Sequence, residues 1–244
     1  MSAQRAGNAP QRASAGHGVR ASPSAELDLA ANRAHALALV PVSRETADRL
    51  DRFVAVLLRW QPQINLIAPS TERTLWTRHV ADSLQLIALA PKARVWADLG
   101  SGAGFPGLAI ACALAHVPEA RIHLVETNTK KIAFLREAVR ATGAPAIVYA
   151  GKIEDFVASP PEPIEVVVAR ALAPLPKLLG LASPLLENGA VGLFPKGQEA
   201  ALELTEASKY WKVQGSLVAS RTDPKSRIVV VRELEPKPRT APGG

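Results

Sequence analysis

The chain of 244 residues has a single cysteine, Cys112, and no long apolar run. One cysteine excludes a disulfide framework and a zinc site built from cysteines. The most apolar stretch, residues 95–114, is interrupted by Asp98 and by glycines, so no segment reaches the roughly 18 residues of a membrane span. A secretory signal, with its apolar core of about 7–15 residues, is also missing. We therefore expect a cytoplasmic protein with no membrane anchor and no bound metal.

The basic charge is concentrated at the two ends of the chain. The net charge is +7, yet residues 93–208 carry ten basic and twelve acidic side chains, whereas residues 209–244 carry eight and three. Basic flanks around a nearly neutral middle suit a polyanionic partner, with nucleic acid as the leading candidate. The alternative is a basic surface that serves only solubility.

The first 92 residues divide into an extension and a helical segment. The first 25 residues contain seven alanines and three arginines but no acidic residue. Such a composition cannot build a core, so residues 1–42 are predicted to be a disordered basic extension; an organelle transit peptide is the alternative. Residues 43–92 are predicted to form a helical cap, with one helix from Ser43 to Pro62 and another from Ser70 to Leu89. The first helix carries an apolar stripe of Leu50, Phe53, Val54, Leu57 and Leu58.

From Arg94 onwards, short β-rich runs alternate with helical stretches, a pattern typical of βαβ units and a parallel sheet. The predicted strands are 94–99, 121–125, 145–149, 164–169 and 189–194, with helices at 105–117, 128–141, 174–186 and 197–208. Two last runs, 211–219 and 226–232, are joined too closely for a parallel crossover and should form an antiparallel hairpin. We expect one α/β domain over residues 93–235, with a seven-stranded, mostly parallel sheet and an antiparallel edge. A flexible tail, 236–244, follows it.

A glycine-rich loop, residues 98–107, follows the first predicted strand. Gly100, Gly102 and Gly104 allow a sharp turn and a close approach of the backbone to a ligand. In open α/β sheets, ligands bind outside the carboxyl ends of the strands, where this loop lies. The alternative is a tight turn with a purely structural role.

Two acidic residues narrow the choice of ligand. Glu126 ends the second predicted strand, where a carboxylate can accept both hydroxyls of an adenosine ribose; the alternative is a carboxylate that caps the next helix. Asp98, two residues before Gly100, would repel a pyrophosphate but tolerates the positive groups of S-adenosylmethionine (SAM). Asp98 therefore favours SAM over a nicotinamide dinucleotide.

Four motifs in order resemble the RsmG (formerly GidB) family, bacterial enzymes that methylate guanine N7 in the 530 loop of 16S rRNA. They are Arg78-His79-Val-Ala-Asp82-Ser-Leu, the glycine-rich loop, Ala169-Arg170-Ala and Pro195-Lys196-Gly197. The resemblance covers roughly residues 43–235. It implies a class I, Rossmann-like methyltransferase fold, SAM as cofactor, and 16S rRNA or the small ribosomal subunit as partner, with methylation at position 527. On matching positions it implies cofactor contacts at Gly100, Phe105, Ile153, Glu154 and Arg170.

Two basic residues end predicted strands at the expected ligand edge. Because burial of an unpaired charge is costly, Arg170 and Lys196 are candidate catalytic residues. Lys196 is also a candidate contact for an RNA phosphate, and an exposed lysine in a turn is the alternative.

In the cap, the candidate RNA contacts are Arg73, Arg78 and His79. His79 and Asp82 are three residues apart and should face one side of a helix, where a structural His–Asp pair is the alternative. Trp60 and Trp76 are predicted to lie in the core.

The motifs that are missing narrow the reaction. No Asn- or Asp-Pro-Pro-aromatic motif follows the fourth strand, which argues against methylation of an exocyclic amine. Cys112 is expected inside a helix, which argues against a reaction that passes through a covalent adduct of a cysteine with a pyrimidine, as in C5 methylation. Guanine N7 carries a lone pair and no proton, so positioning next to SAM suffices and no general base is needed. The alternatives are a NAD-type oxidoreductase, a non-catalytic SAM- or RNA-binding ribosome-assembly factor, and a methyltransferase for another RNA; we expect a monomer.

Overall fold

The structure, a computed structural model, describes residues 23–238 as a helical cap packed on an α/β sheet. The cap contains α1 (Pro23–Leu39), α2 (Arg44–Ile64) and a series of short turns from Pro69 to Leu89 that includes α3 (Asp82–Leu84). Helix α2 begins where Ser43 accepts a hydrogen bond from the backbone of Thr46 and ends at Asn65, which has left-handed backbone angles. The predicted apolar stripe faces inward, since Leu50, Phe53 and Leu57 are fully buried.

The sheet has the predicted number of strands. They are β1 (Val95–Leu99), β2 (Arg121–Glu126), β3 (Ala146–Ala150), β4 (Val166–Val168), β5 (Val191–Lys196), β6 (Trp211–Ala219) and β7 (Arg227–Pro236). Their order is β3-β2-β1-β4-β5-β7-β6. Strands β1 to β5 are parallel, whereas β7 is antiparallel to both β5 and β6. The predicted antiparallel hairpin at one edge is confirmed.

Helices cover both faces of the sheet. They are α4 (Gly107–Leu114), α5 (Thr129–Thr142), α6 (Ile153–Ala158), α7 (Leu175–Glu187) and α8 (Ala200–Ala207). All eight residues of α4 are buried, because this helix lies between the sheet and the cap. The cap and the sheet thus share one hydrophobic cluster, which joins Phe53 of α2 to Leu108 of α4 and Trp96 of β1.

The prediction of disorder over residues 1–42 is wrong for residues 23–39, which form α1. Alanine and leucine favour helix, and residues 23–39 are rich in both. When residues 1–42 are taken as one segment, its serines and glycines hide this propensity. Helix α1 is attached to the rest of the cap by polar groups as well as by apolar packing, and composition does not reveal such polar contacts. Arg33 pairs with both carboxylate oxygens of Asp51 at 2.7 Å, and Ala36 is 1% exposed. The rest of the extension, residues 1–22, lies outside the described residues, as do residues 239–244 of the predicted tail.

The second predicted cap helix, Ser70–Leu89, is divided into short turns. The reason lies in α1, because the side-chain oxygen of Asn32 accepts hydrogen bonds from the backbone nitrogens of Trp76 and Thr77 at 2.9 and 3.1 Å. A new helical turn therefore starts at Trp76, which is 2% exposed and belongs to the core as predicted. Trp60 is partly buried, and its indole nitrogen donates to Glu137.

Candidate active site

A cleft of about 600 Å³ opens at the carboxyl ends of β1, β4 and β5, between the sheet and the cap. Its position is the one at which open α/β sheets bind their ligands. The predicted site residues that line it are Arg78, His79, Gly100, Gly102, Phe105, Arg170 and Lys196. The lining also includes residues that the sequence did not suggest: Thr71, Lys131, Glu203, Ser220, Ser226 and Arg227.

The glycine-rich loop forms one wall, and its three glycines serve different purposes. Gly100 and Gly102 line the cleft with φ of +74° and +52°. A Cβ on Gly102 would have no neighbour closer than 3.7 Å, so its main chain is open to a ligand. Gly104 has φ of +82° and faces the cap, because a Cβ there would lie 2.9 Å from the ring of Phe53. Gly104 is therefore required for packing and does not line the cleft.

Asp98 lies beneath this loop and is fully buried. Its Oδ2 accepts a hydrogen bond from the backbone of Gly107 at 2.9 Å, while Oδ1 has no partner among the described residues. Burial, by disfavouring the charged form, raises the pKa of Asp98 to about 7. A cofactor contact was the prediction for Asp98, but this residue does not line the cleft. One of its oxygens, Oδ1, remains able to accept a hydrogen bond.

Glu126 holds two loops together. Its Oε2 accepts from the backbone of Gly102 at 2.9 Å, and its Oε1 accepts from the backbones of Thr127 and Asn128 at 2.8 Å. Glu126 thus holds the loop before α5, whereas the cap of that helix is Asn128, whose side chain accepts from the backbones of Lys130 and Lys131. A contact with ribose stays a prediction.

Arg170 lines the cleft just beyond β4. Its guanidinium donates to the backbone oxygen of Arg78 at 3.0 Å and to Nδ1 of His79 at 2.5 Å, and it is 3.6 Å from Asp82. It also lies 5.5 Å from the centre of the Phe105 ring, on which the His79 imidazole stacks. Every one of these groups except Phe105 belongs to the cap. Arg170 thus joins the two parts of the protein at the site.

His79 is held in its neutral form. Burial, followed by the positive charges of Arg170 and Arg78, lowers the pKa of His79 to about 3. The alternative interpretation, a structural His79–Asp82 pair, is not found; both side chains instead contact Arg170. At 9% exposure, His79 offers little surface to an RNA.

Lys196, at the end of β5, is not the exposed lysine of the alternative interpretation. Its side chain is 11% exposed and forms an ion pair with Glu203 at 2.8 Å. It also donates to the backbone oxygen of Ala173 at 2.8 Å. Lys196 therefore connects β5 to α8 and to the loop after Arg170, and its positive charge is balanced by a carboxylate.

The remaining predicted contacts lie at or beyond the rim. Ile153 and Glu154 form the first turn of α6 after β3 and do not line the cleft. Arg73 is exposed and 3.8 Å from Asp28, whereas Arg78 lines the cleft and pairs with Asp223 at 3.1 Å. Cys112 is buried inside α4, as predicted, and its burial raises the pKa of the thiol to about 12.

Residues 23–238 contain neither a cluster of metal-binding side chains nor a membrane-spanning helix. Within that range no group of three or more His, Cys, Asp and Glu side chains could hold a metal ion. No helix of the same range is long and apolar enough to cross a membrane.

Comparisons with solved structures identify the class of fold. The chain aligns with a putative O-methyltransferase from Klebsiella pneumoniae at a TM-score of 0.54 and 11% identity, over 86% of this chain and 99% of that one. An O-methyltransferase from Bacillus cereus, solved in complex with SAH, gives a TM-score of 0.54 at 13% identity over 86% and 100% of the two chains. The protein has the fold of the class I SAM-dependent methyltransferases.

Comparisons with sequences identify the family. Residues 46–227 match the GidB family, described as rRNA small subunit methyltransferase G. A ribosomal RNA small subunit methyltransferase G from Bradyrhizobium sp. (strain BTAi1) is 56% identical over 207 residues, which is 85% of this chain and 93% of the relative. One from Nitrobacter hamburgensis is 56% identical over 210 residues, 86% and 81% of the two chains. The chain belongs to this family, and the resemblance drawn from its motifs is confirmed.

Proposed function

We propose that the protein transfers a methyl group from SAM to N7 of a guanine in the 530 loop of 16S rRNA, at position 527. Membership of the rRNA small subunit methyltransferase G family and the class I fold support the reaction class. The observation that supports the choice of N7 is that the acidic side chains and the histidine in the cleft already accept hydrogen bonds from other residues of the chain.

The cleft fits SAM as its cofactor. The main chain of Gly102 is open to a ligand, and the unpaired Oδ1 of Asp98 beneath the loop favours a ligand with positive groups. When bound, SAM supplies a methyl group on a positively charged sulfur. The residues of the chain bind and orient the two reactants and exclude water from between them.

The side chains that could take up a proton are already engaged. Nδ1 of His79 accepts from Arg170, and Glu203 accepts from Lys196. Asp82 accepts from Gln85 and from Thr222, both at 2.8 Å. Among the described residues that line the cleft, these three are the only ones of acidic or imidazole type. A cleft without a free general base suits guanine N7, whose lone pair attacks without losing a proton.

Arg170 is the residue to which we assign the positioning of the reactants. Methylation leaves a positive charge on the imidazole ring of guanine, so a bare cation beside that ring would oppose the reaction. Asp82, 3.6 Å from the guanidinium, offsets part of the charge of Arg170. We assign Arg170 to the cofactor side or to O6 of the guanine, and Lys196 to a flanking phosphate that would take the place of Glu203 as its partner.

Methyl transfer from labelled SAM tests the proposal, with small subunits, naked 16S rRNA and a matched RNA lacking the target guanine as substrates. Aniline cleavage after borohydride treatment locates any N7-methylguanine. We expect one labelled guanine in the 530 loop and no label in the matched RNA. Label at another atom or in protein would overturn the proposal.

The proposal also covers the location, the oligomeric state and the metal requirement of the enzyme. We expect a cytoplasmic monomer that needs no metal. Gel filtration with light scattering, and transfer assays after exhaustive chelation, test the two statements that concern the purified protein.

A further inference from the structure

The turn between β6 and β7, residues 220–226, forms one lip of the cleft. Ser220 and Ser226 line the cleft, as does Arg227, the first residue of β7. We call residues 220–227 the basic lip, because they contain Arg221, Lys225 and Arg227 against a single acidic residue, Asp223. None of these three cations belongs to a motif of the sequence.

The basic lip is attached to the cap by a buried side chain. Gln85 is 4% exposed. Its Oε1 accepts from the backbone of Arg221 at 2.8 Å, and its Nε2 donates to Ser220 at 3.1 Å and to Asp82 at 2.8 Å. Because buried polar groups must keep their hydrogen bonds, these contacts fix the lip relative to Asp82 and hence to Arg170.

The single acidic residue of the lip is used within the protein. Asp223 accepts from the backbone of Lys225 and from Ser226, both at 2.9 Å, and it pairs with Arg78. These donors, with the backbone of Lys225 first, hold the pKa of Asp223 below its usual value. Asp223 therefore serves to shape the turn and leaves the other cations of the lip unneutralised.

The cations of the lip have no carboxylate partner within 4.0 Å among residues 23–238. Arg221 and Lys225 are exposed. Arg227 is held by the backbone oxygens of Pro224 and Ser226 at 2.7 and 2.8 Å, which aligns its guanidinium without reducing its charge.

Two other basic residues near the C-terminus, Lys209 and Lys212, are neutralised. Lys212 pairs with Glu235 at 3.0 Å, and Lys209 pairs with Glu206 at 2.6 Å. Arg232 within β7 and Lys237 just after it are exposed, but among the basic residues 209–238 the cations of the lip are the ones that lie next to the cleft.

We propose that the basic lip binds backbone phosphates of the RNA strand that carries the target base, with Arg221 and Lys225 as contacts. This inference rests on the proposed function. A base that enters the cleft must leave its stack, and the phosphates on either side of it then pass over the lip. Exposed cations on a fixed turn suit these phosphates, because their position is set before the strand arrives.

The test compares two doubly neutralised variants with equal loss of charge. Arg221→Gln/Lys225→Gln removes the two lip contacts. Lys92→Gln/Arg140→Gln is the matched control. Both residues are exposed; Lys92 precedes β1 and Arg140 lies in the last turn of α5, so both are at the amino ends of the parallel strands, opposite the cleft. RNA dissociation constants are measured from 50 to 200 mM salt, and SAM affinity by calorimetry.

Two phosphate contacts to a single strand add about 1.4 to the steepness with which the logarithm of the RNA association constant falls with the logarithm of the salt concentration. Over that range, the RNA affinity of the parent should therefore fall about sevenfold more steeply than that of the lip variant. The control should keep the parental slope, and all three proteins should bind SAM equally. Arg221→Lys in the parent should leave the slope unchanged, because the charge is retained.

The outcomes separate the two proposals. A lip variant with the same slope as the control would overturn the role of the lip, whether or not methyl transfer occurs. If the lip variant alone loses salt slope but the parent transfers no methyl group to guanine N7, the proposed function would be overturned and the lip would still be supported as an RNA contact.

Discussion

The guanidinium of Arg170 donates to Nδ1 of His79 and so determines which imidazole nitrogen carries the proton. A guanidinium has no acceptor, so Nδ1 must accept, and in the neutral ring the proton lies on Nε2. Nε2 is 2.9 Å from the hydroxyl of Thr71. Hydrogen bonds thus lead from Arg170, just beyond β4, to His79 and Thr71 in the cap. The loss of Arg170 would therefore affect both the cleft and the orientation of the cap residues beside it.

The first prediction concerns Arg170. Single-turnover methyl transfer by Arg170→Ala, at saturating SAM and RNA, should be slower than that of the parent by a factor on the order of 100, which is typical of a lost positioning contact. Arg33→Ala is the matched control, because it also removes an arginine paired with a cap carboxylate, but away from the cleft. A parental rate for Arg170→Ala would remove this residue from the active site.

The second prediction concerns the cofactor. Gly102→Val should abolish SAM binding in calorimetry, because a branched side chain disfavours φ of +52° and occupies the open face of the loop. Gly143→Val is the control, since Gly143 has φ of +61° and free space around it but lies at the end of α5. Both variants should unfold cooperatively with a similar loss of stability. Unchanged SAM affinity in Gly102→Val would place the cofactor elsewhere.

The third prediction concerns pH. The pKa of Asp98 is about 7 in the folded protein and near 4 when unfolded, so between these values the folded state binds more protons. The contribution of Asp98 to the free energy of unfolding should therefore decrease as pH rises from about 4 to 7. His79 acts oppositely, because its pKa is lowered on folding. Urea unfolding of the parent and of Asp98→Asn isolates the Asp98 contribution as a difference between the two, and a difference that does not change with pH would contradict the prediction.

The fourth prediction concerns the N-terminal segment. Removal of residues 1–22 should leave methyl transfer largely intact, whereas removal of residues 1–39 deletes α1 and should destabilise the cap. Asn32→Ala should reproduce part of this loss, about 0.5–2 kcal/mol, because Asn32 caps the turn that starts at Trp76. Thermal denaturation measures both effects. An activity that is lost on removal of residues 1–22 would assign that segment a function.

The fifth prediction concerns the cap arginines. Neutralisation of the exposed Arg73 and Arg78 should weaken RNA binding and reduce its salt slope, with little effect on SAM affinity. Because Arg78 lines the cleft and Arg73 does not, the effect of Arg78 should exceed that of Arg73. A variant with the parental salt dependence would assign both residues to structure.

Local patterns were sufficient for much of the fold. The β-rich runs placed all seven strands, and the short connection after β6 required the antiparallel edge. The apolar stripe of α2 predicted which side faces the core. Alanine-rich α1 escaped the pattern because Asn32 and Arg33 attach it through polar groups, and only their partners in the folded chain give these groups a structural role.

The sequence by itself determined the sheet, the glycine-rich loop and the edge at which the cleft opens, because these depend on neighbours along the chain. Only the tertiary structure decided which polar groups face the cleft. Asp98 and Glu126 turn toward backbone donors beneath and beside the loop, and Lys196 is neutralised by Glu203. The basic lip depends on Gln85 and Arg221, which are 136 residues apart. Such contacts follow from how strands and cap pack together in three dimensions, and no spacing in the sequence encodes them.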